Sequence, residues 1–206
     1  MITVIKSQFV QHKLTILRNK KTSNTFFRQT MNETSYLIAA EVLKYLPYKR
    51  TTVQTPLKTT SGMILSKQII LVPILRAGLG LLEGFAKFLP DAEKGHIGLY
   101  RDEQTYEPVE YLFKLPKIKN KKILILDPML ATGNSSIAAI DLIKNKGANI
   151  KDIFLISLLA APEGLKNIQK IQKGIHIFTC SIDKKLNKNK FIVPGLGDAG
   201  DRYMGT

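Results

Sequence analysis

Cysteine and histidine are scarce in this chain of 206 residues. The single cysteine, Cys180, excludes an intramolecular disulfide framework of the kind that staples small secreted proteins. The three histidines, His12, His96 and His176, lie far apart and lack the close spacing of metal ligands. The sequence therefore predicts a protein of a reducing compartment, with no metal site built from its own side chains.

Long apolar runs are also missing. Runs such as that from Ile153 to Ala161 are too short to cross a bilayer. The segment from Met1 to Val10 has no positively charged stretch followed by a long apolar one, so it does not look like a secretion signal. We expect a cytoplasmic protein with no membrane partner.

Acidic residues are outnumbered, with 16 Asp and Glu against 31 Lys and Arg, which gives a formal net charge of +15. Such a charge would suit a nucleic-acid binder, but lysine-rich stretches such as Lys117–Lys122 and Lys184–Lys190 contain no interleaved aromatic residue. A solvated face explains these lysines better, and we expect no nucleic-acid partner. A positive field would also concentrate a small polyanionic substrate.

The length and the hydrophobic content of 44% are enough for one sizeable core, and no linker or repeat divides residues 1–206. We therefore expect one domain. Apolar residues at helical spacing predict a helix from Thr25 to Leu46, ended by Pro47. Alternation predicts a short strand from Thr51 to Leu57, and Ser61-Gly62 suggests a turn.

The rest of the chain alternates between apolar strands and helices. Strands are predicted at Ile69–Leu75, Ile97–Tyr100, Ile123–Leu126, Ile153–Leu159 and Ile175–Thr179, and helices at Leu79–Leu89, Ile137–Lys146 and Glu163–Lys173. Continuous apolar strands separated by helices predict an α/β fold, with a mostly parallel central sheet covered by helices on both faces. Ligands of such sheets bind beyond the carboxyl ends of the strands.

An acid and a loop of small residues follow one of these strands. The segment Ile123–Ser136 reads Ile-Leu-Ile-Leu-Asp-Pro-Met-Leu-Ala-Thr-Gly-Asn-Ser-Ser and places Asp127 at the strand end. We predict a phosphate cradle here, formed by the free N–H groups of the next helix and the hydroxyls of Thr132, Ser135 and Ser136. Gly133 would let the backbone approach the phosphate closely. An ordinary turn capped by Ser135 is the alternative.

This segment resembles the motif that binds 5-phosphoribosyl 1-diphosphate (PRPP) in type I phosphoribosyltransferases. Its residues Asp-Pro-Met-Leu-Ala-Thr-Gly resemble the uracil phosphoribosyltransferase branch in particular. The resemblance implies that Asp127 binds the ribose hydroxyls and that residues 131–135 hold the 5′-phosphate. One departure is Asn134, where the family usually has a second glycine. Asparagine tolerates positive φ, so we expect the loop to form with tighter geometry. The PRPP-binding residues implied here are Asp127, Pro128, Met129, Leu130, Ala131, Thr132, Gly133, Asn134 and Ser135.

Two arginines, Arg76 and Arg101, are further candidates for binding a phosphate-bearing ligand. Arg76 follows the strand that ends at Leu75, and its forked donors suit diphosphate oxygens; the glycines after it could serve only to pack the helix on the sheet. The pattern over residues of about 98–115 predicts a hairpin with a charged tip that could fold over a ligand. A tip that is charged only because it is solvated is the alternative. Both stretches resemble parts of uracil phosphoribosyltransferases. The first resembles the diphosphate-binding loop and the second the flexible flap, which implies that Arg76 contacts the diphosphate and Arg101 contacts PRPP.

The segment from Phe191 to Thr206 is rich in glycine, which taken alone is typical of a frayed tail. It resembles the base-binding hood of the family, here placed at about residues 180–206. The resemblance implies that Ile192, Gly197 and Ala199 frame uracil and that Asp198 reaches PRPP. Asp198 is also the nearest candidate for a general base.

Together these motifs imply a uracil phosphoribosyltransferase of pyrimidine salvage, which uses Asp127, Arg76, Arg101 and Asp198 in catalysis and binds Mg²⁺ through the diphosphate of PRPP. The resemblance also implies a homodimer or higher homo-oligomer and a possible GTP effector. Two alternatives stay open: an enzyme for another base, such as xanthine, hypoxanthine or orotate, and an RNA-binding regulator on the same fold.

Overall fold

A computed structural model describes residues 1–101 and 108–206, with the side chain of Arg101 excepted. Its helices are α1 (Gln8–Arg18), α2 (Asn24–Leu43), α3 (Leu79–Phe88), α4 (Asn134–Asn145), α5 (Pro162–Ile171) and α6 (Ala199–Met204), with a 3₁₀ turn at Ile150–Asp152. Its strands are β1 (Ile2–Val4), β2 (Tyr48–Gln54), β3 (Thr59–Leu65), β4 (Ile69–Leu75), β5 (Glu93–Lys94), β6 (His96–Arg101), β7 (Pro108–Lys114), β8 (Lys122–Leu126), β9 (Met129–Leu130), β10 (Ile153–Ile156), β11 (Leu159–Ala160), β12 (His176–Thr179), β13 (Ser181–Ile182), β14 (Lys185–Leu186) and β15 (Ile192–Val193).

The central sheet has the strand order β1-β12-β10-β8-β4-β6-β7, with β5 beside β4. Every pairing is parallel except the antiparallel pair β6–β7. Along the strands, successive side chains point to opposite faces of the sheet, so Leu71 and Leu124 enter one core while Ile70 and Ile123 enter the other. Burial on both faces explains the continuous apolar runs.

Helices cover both faces. Helices α1, α2 and α3 contribute apolar side chains such as Leu14, Phe27 and Phe85 to one core, and α4 and α5 contribute Ile140 and Ile168 to the other. Helices α1 and α2 each begin after a serine whose hydroxyl accepts a backbone N–H bond, as is typical of an N-cap. The predicted α/β fold with a mostly parallel sheet is confirmed.

The predicted turn at Ser61-Gly62 is wrong, because both residues lie inside β3. The hairpin instead turns at residues 55–58, where the Thr55 hydroxyl accepts the N–H groups of Leu57 and Lys58 at 3.2 and 3.1 Å. The predicted strand Ile153–Leu159 is interrupted at residues 157–158, because the chain leaves the central sheet there and pairs again as β11.

A small second sheet continues from the ends of three central strands. It has the parallel order β13-β11-β9, and these strands follow β12, β10 and β8 after breaks of one or two residues. Backbone bonds span the breaks, such as that from the Asp127 N–H to the Ile156 carbonyl at 3.0 Å. The second sheet therefore fixes the segments that leave the central sheet.

The predicted flap begins in β6 and returns in β7, which pair antiparallel. Its tip at residues 102–107 and the side chain of Arg101 lie outside the described residues. In the described parts of the chain, none of the helices has the length and apolar character needed to span a bilayer.

Helix packing predicts opposite outcomes for two glycines on α3. A methyl group at Gly84 would collide with backbone atoms of Ser35 and Tyr36 on α2, whereas one at Gly80 would meet only the flexible end of Met31, 2.6 Å from its Cε atom. We expect Gly84→Ala to lower the free energy of unfolding by about 1–2 kcal/mol, because overpacking outweighs the helix propensity gained.

The matched control is Gly80→Ala on the same helix, which should change stability little because the Met31 side chain can move. Urea unfolding followed by circular dichroism measures both variants. Equal stabilities of the two variants would contradict the tight α2–α3 contact.

Candidate active site

A deep crevice lies at the carboxyl ends of β4 and β8. These neighbouring strands are followed by α3 and α4, which cover opposite faces of the sheet, so the chain opens a gap between them. A cavity of about 500 Å³ occupies this gap. Ligands of open α/β sheets bind at such a switch point.

Asp127 stands at the floor of the cavity, directly after β8. Burial raises the pKa of its carboxyl group to about 6, against the opposing effect of hydrogen bonds from Ser136 and the Met129 N–H. The Ser136 hydroxyl donates to Asp127 Oδ2 at 2.9 Å. Near neutral pH, Asp127 is thus mainly ionised and can accept hydrogen bonds from hydroxyl groups of a ligand.

The small-residue loop wraps around one side of the cavity. Ala131, Thr132, Gly133 and Ser135 line it, and α4 begins directly after Gly133, which has a φ of +84°. A side chain at Gly133 would be strained by this φ and would also press on Ile168 of α5. The first N–H groups of α4 lie beside the cavity, as in helix-terminus anion sites.

Asn134 does not have the positive φ for which we expected asparagine to be suited. That conformation belongs to Gly133, and Asn134 is the first residue of α4. Its side-chain oxygen accepts a bond from Asn167 Nδ2 at 3.2 Å, and the same nitrogen donates to the Thr132 carbonyl at 3.1 Å. The departure at residue 134 thus anchors the loop to α5.

Arg76 lines the cavity directly after β4, and the Leu75–Arg76 peptide bond is cis. Its guanidinium group donates to Asp201 Oδ1 at 2.8 Å and to the Thr206 hydroxyl at 3.4 Å. Both members of the Arg76–Asp201 pair are half exposed. The glycines after Arg76 include Gly78, where a methyl group would collide with Leu126 and Ile74 backbone atoms, so tight packing accounts for this glycine.

The C-terminal segment is ordered rather than frayed, and it closes the other side of the cavity. Ile192 in β15, Gly197, Asp198 and Ala199 line this side. The Asp198 carboxylate accepts the N–H of Asp201 at 2.9 Å and so caps α6. Asp198 therefore has a structural role besides any contact with a ligand.

The structure places most of the predicted site residues around one cavity. Three of them do not line it, namely Pro128, Leu130 and Asn134. The Pro128 carbonyl accepts the N–H groups of Leu158 and Leu159, Leu130 is fully buried in the core, and Asn134 faces Asn167. The side chain of Arg101 lies outside the described residues.

Sequence reasoning missed several residues that line the cavity. Tyr100 and Tyr111 face each other on β6 and β7 with ring centroids 6.3 Å apart. Lys190 and Phe191 join the C-terminal side, and Lys190 has a φ of +63°. The end of β6 could have indicated Tyr100, but Tyr111 lies in the middle of β7. No sequence signal marks Lys190, because its place depends on how the β14–β15 turn folds.

Within residues 1–101 and 108–206, histidine, cysteine, aspartate and glutamate side chains form no cluster of three or more that could hold a metal ion. A divalent cation here would therefore need ligands supplied by a phosphate-bearing substrate and water. Mg²⁺ suits that arrangement, because it retains waters and prefers phosphate oxygens. Asp127 and Asp198 at the cavity could accept hydrogen bonds from such waters.

The chain is similar to known proteins over nearly its whole length. A protein-family model described as uracil phosphoribosyltransferase matches residues 4–206. A uracil phosphoribosyltransferase from Streptococcus salivarius is 51% identical over 206 residues, covering 98% of this chain and 97% of that protein.

Solved structures give the same picture. The AQ2163 protein from Aquifex aeolicus matches with a TM-score of 0.92 and 37% identity, covering 98% of this chain and 97% of that one. A hypoxanthine phosphoribosyltransferase from Staphylococcus aureus matches with a TM-score of 0.51 and 13% identity, covering 82% and 85% of the two chains. The second likeness is one of fold alone.

The Ser136–Asp127 hydrogen bond predicts a measurable shift in acidity. The bond favours the ionised carboxylate and lowers its pKa, so Ser136→Ala should raise the Asp127 pKa. Carboxyl-carbon NMR titration of the ligand-free protein measures this pKa. Ser135→Ala is the matched control, because Ser135 lines the cavity but makes no hydrogen bond to Asp127 among the described residues. Equal pKa values in both variants would contradict the assigned bond.

Proposed function

The chain belongs to the uracil phosphoribosyltransferase family, and from that premise we propose how its strand-end cavity performs the transfer. The enzyme joins N1 of uracil to C1 of the PRPP ribose, forms UMP and releases diphosphate, a reaction of pyrimidine salvage. One observation carries the proposal: the Asp127 loop and the segment from Ile192 to Ala199 face the same cavity. The first suits a ribose phosphate and the second a planar base.

At the phosphate end, residues 131–135 hold the 5′-phosphate of PRPP. The support is the start of α4, where Thr132, Gly133 and Ser135 line the cavity and the Asn134 N–H donates to the Thr132 hydroxyl at 3.3 Å. Asp127 accepts hydrogen bonds from the ribose hydroxyls, because it lines the same cavity as this loop and Arg76. Met129 and Ala131 complete the wall.

At the diphosphate end, Arg76 binds the leaving group, since it is a cation that lines the cavity beside Asp127. The family resemblance assigns Arg101 a second contact with PRPP. Mg²⁺ bound through the diphosphate would neutralise part of its charge. The residues of the chain then hold the sugar and the leaving group in line, so that the positive charge that develops on the ribose is stabilised by the enzyme.

At the base end, Ile192, Gly197 and Ala199 frame uracil. Ile192 and Ala199 are buried hydrophobic residues, and Gly197, with a φ of +82°, is exposed and lines the cavity. Backbone groups that match uracil O4 and N3–H would meet the wrong partner on the amino group of cytosine, and a buried mismatch discriminates strongly. Asp198 is the candidate general base, and it reaches PRPP from the cap of α6.

The chain acts as a single unit of 206 residues and forms a homodimer or higher homo-oligomer. The β2–β3 hairpin supports the oligomer. Among the described residues, its strands pair only with each other, and two-stranded hairpins are marginal alone in water. It nevertheless exposes large apolar side chains, including Leu57 at 94% and Met63 at 60% exposure. A second copy of the chain would cover them.

Two further proposals concern an effector and the location of the protein. GTP as an effector follows from the family resemblance alone. A cytoplasmic location is supported by the single cysteine, Cys180, which is buried as a free thiol.

The function is tested with PRPP, Mg²⁺ and a panel of bases, measuring nucleotide and diphosphate by chromatography. We expect UMP from uracil, and roughly 10⁴-fold lower kcat/KM for cytosine because of its mismatched amino group. Xanthine, hypoxanthine and orotate should give no product. Turnover of another base in preference to uracil would contradict the proposed substrate.

The same assay includes Asp127→Asn, which should lower kcat about a hundredfold or more while the protein stays folded. Asp141→Asn on α4 is the control, because Asp141 does not line the cavity. Undiminished turnover in folded Asp127→Asn would remove this residue from the mechanism.

The hairpin proposal predicts a change of mass. Leu57→Asp with Met63→Asp should shift the enzyme toward the monomer in light scattering after gel filtration, because buried charges oppose a covered apolar face. Ile171→Asp on α5 is the control, since Ile171 is also exposed but lies on another element. A wild-type monomer, or an unchanged mass in the double variant, would be incompatible with this interface.

A further inference from the structure

We propose that Arg18 and Asp183, neither of which lines the cavity, are positioning residues that fix the base-binding backbone and thereby set the affinity for uracil. Arg18 is the last residue of α1, and Asp183 follows β13. The inference rests on the proposed function, because it takes the segment from Ile192 to Ala199 as the uracil site.

Asp183 is the centre of a buried polar cluster. Its side chain is 3% exposed, and Arg18 holds it by a bidentate pair with distances of 2.7 and 2.6 Å. The Ser181 hydroxyl donates to the same carboxylate at 3.0 Å. Burial acts to raise the Asp183 pKa, but these donors and the Gly195 N–H outweigh it, so the pKa lies below its usual range. The carboxylate is thus fully partnered.

The Arg18–Asp183 pair holds Gly195 from both sides. The Gly195 N–H donates to Asp183 Oδ2 at 2.8 Å, and the Gly195 carbonyl accepts a bond from Arg18 Nη1 at 2.8 Å. Gly195 has a φ of +60° and packs so tightly on the Ile192 carbonyl that a methyl group could not fit between them. Fixing Gly195 therefore fixes Ile192, which lines the cavity.

Arg202 on α6 holds Leu196, the residue after Gly195, in the same way. Its guanidinium donates to the carbonyls of Leu196 at 2.7 Å and Leu17 at 2.5 Å, and it stacks 4.3 Å from the centre of the Phe27 ring. The carbonyls of Gly195 and Leu196 are both engaged by arginines, and neither residue lines the cavity. Ile192 and Gly197 do line it, so recognition of the base falls to their backbone.

This arrangement differs from the ion pairs that only join surface elements. Lys13, also on α1, pairs with Glu33 of α2 at 2.6 Å, but it makes no contact with residues 192–199 among the described residues. A buried pair whose partners also bind backbone groups can specify one conformation, whether or not it adds stability. A small displacement of a recognition surface costs much binding and rate.

The test is initial-rate kinetics with uracil and PRPP varied separately, in the wild type, Arg18→Gln, Arg18→Lys and the control Lys13→Gln. We expect Arg18→Gln to raise the KM for uracil by about tenfold to a hundredfold and to leave the KM for PRPP nearly unchanged. Arg18→Lys should be intermediate, because a lysine can pair with Asp183 but lacks the planar fork that also reaches Gly195. Lys13→Gln should match the wild type.

Hydrogen exchange at the Gly195 amide gives a readout independent of turnover, and it should become faster in Arg18→Gln than in Lys13→Gln. Should Arg18→Gln fail to fold, Arg18→Lys carries the same comparison, since it keeps the charge beside Asp183. UMP formation by the wild type with an unchanged KM for uracil in the folded Arg18 variants, or with both KM values raised equally, would overturn this inference alone. Absence of UMP formation by the wild type would overturn the proposed function and this inference with it.

Discussion

Because β4, β8, β10 and β12 pair in parallel, their carboxyl ends all lie at the same end of the sheet. The residue after β4 is Arg76 and the residue after β8 is Asp127, so two ionisable groups far apart in sequence line one cavity. Because α3 and α4 then cover opposite faces, the gap between these strand ends stays open. The site follows from the direction of the strands.

The second sheet turns this gap into a shaped site. Strand β9 leads into the loop of residues 131–135, β13 leads to Asp183, and β11 lies between them. Through Asp183 the same sheet reaches Gly195 and the side of the cavity lined by Ile192. The two halves of the cavity, which handle different parts of the substrates in the proposed function, are thus joined by a shared backbone ladder and by the buried side chain of Asp183.

Periodicity in the sequence was enough to predict β4, β6, β8, β10 and β12, helices α2 to α5 and the position of Asp127, because burial on two faces and a strand-end acid leave local signals. It did not predict the short strand β1 or helix α1. Local signals misled at Ser61-Gly62, where glycine lies within a strand, and at Asn134, whose position is set by Asn167 of a distant helix. Arg18, Asp183 and Lys190 could not be found, since their contacts join segments remote in sequence. The ordered C-terminal segment likewise depends on partners in α1 and α2.

The ion pair between Arg76 and Asp201 has a consequence for ligand exchange. Any anion that binds Arg76 has to compete with a carboxylate that is already in place 2.8 Å away. The pair is half exposed and therefore weak, so the competition costs little on entry. On departure, Asp201 can pair with the guanidinium again. The protein thus carries its own replacement for the outgoing anion, so that Arg76 has a carboxylate or a ligand beside it at every stage.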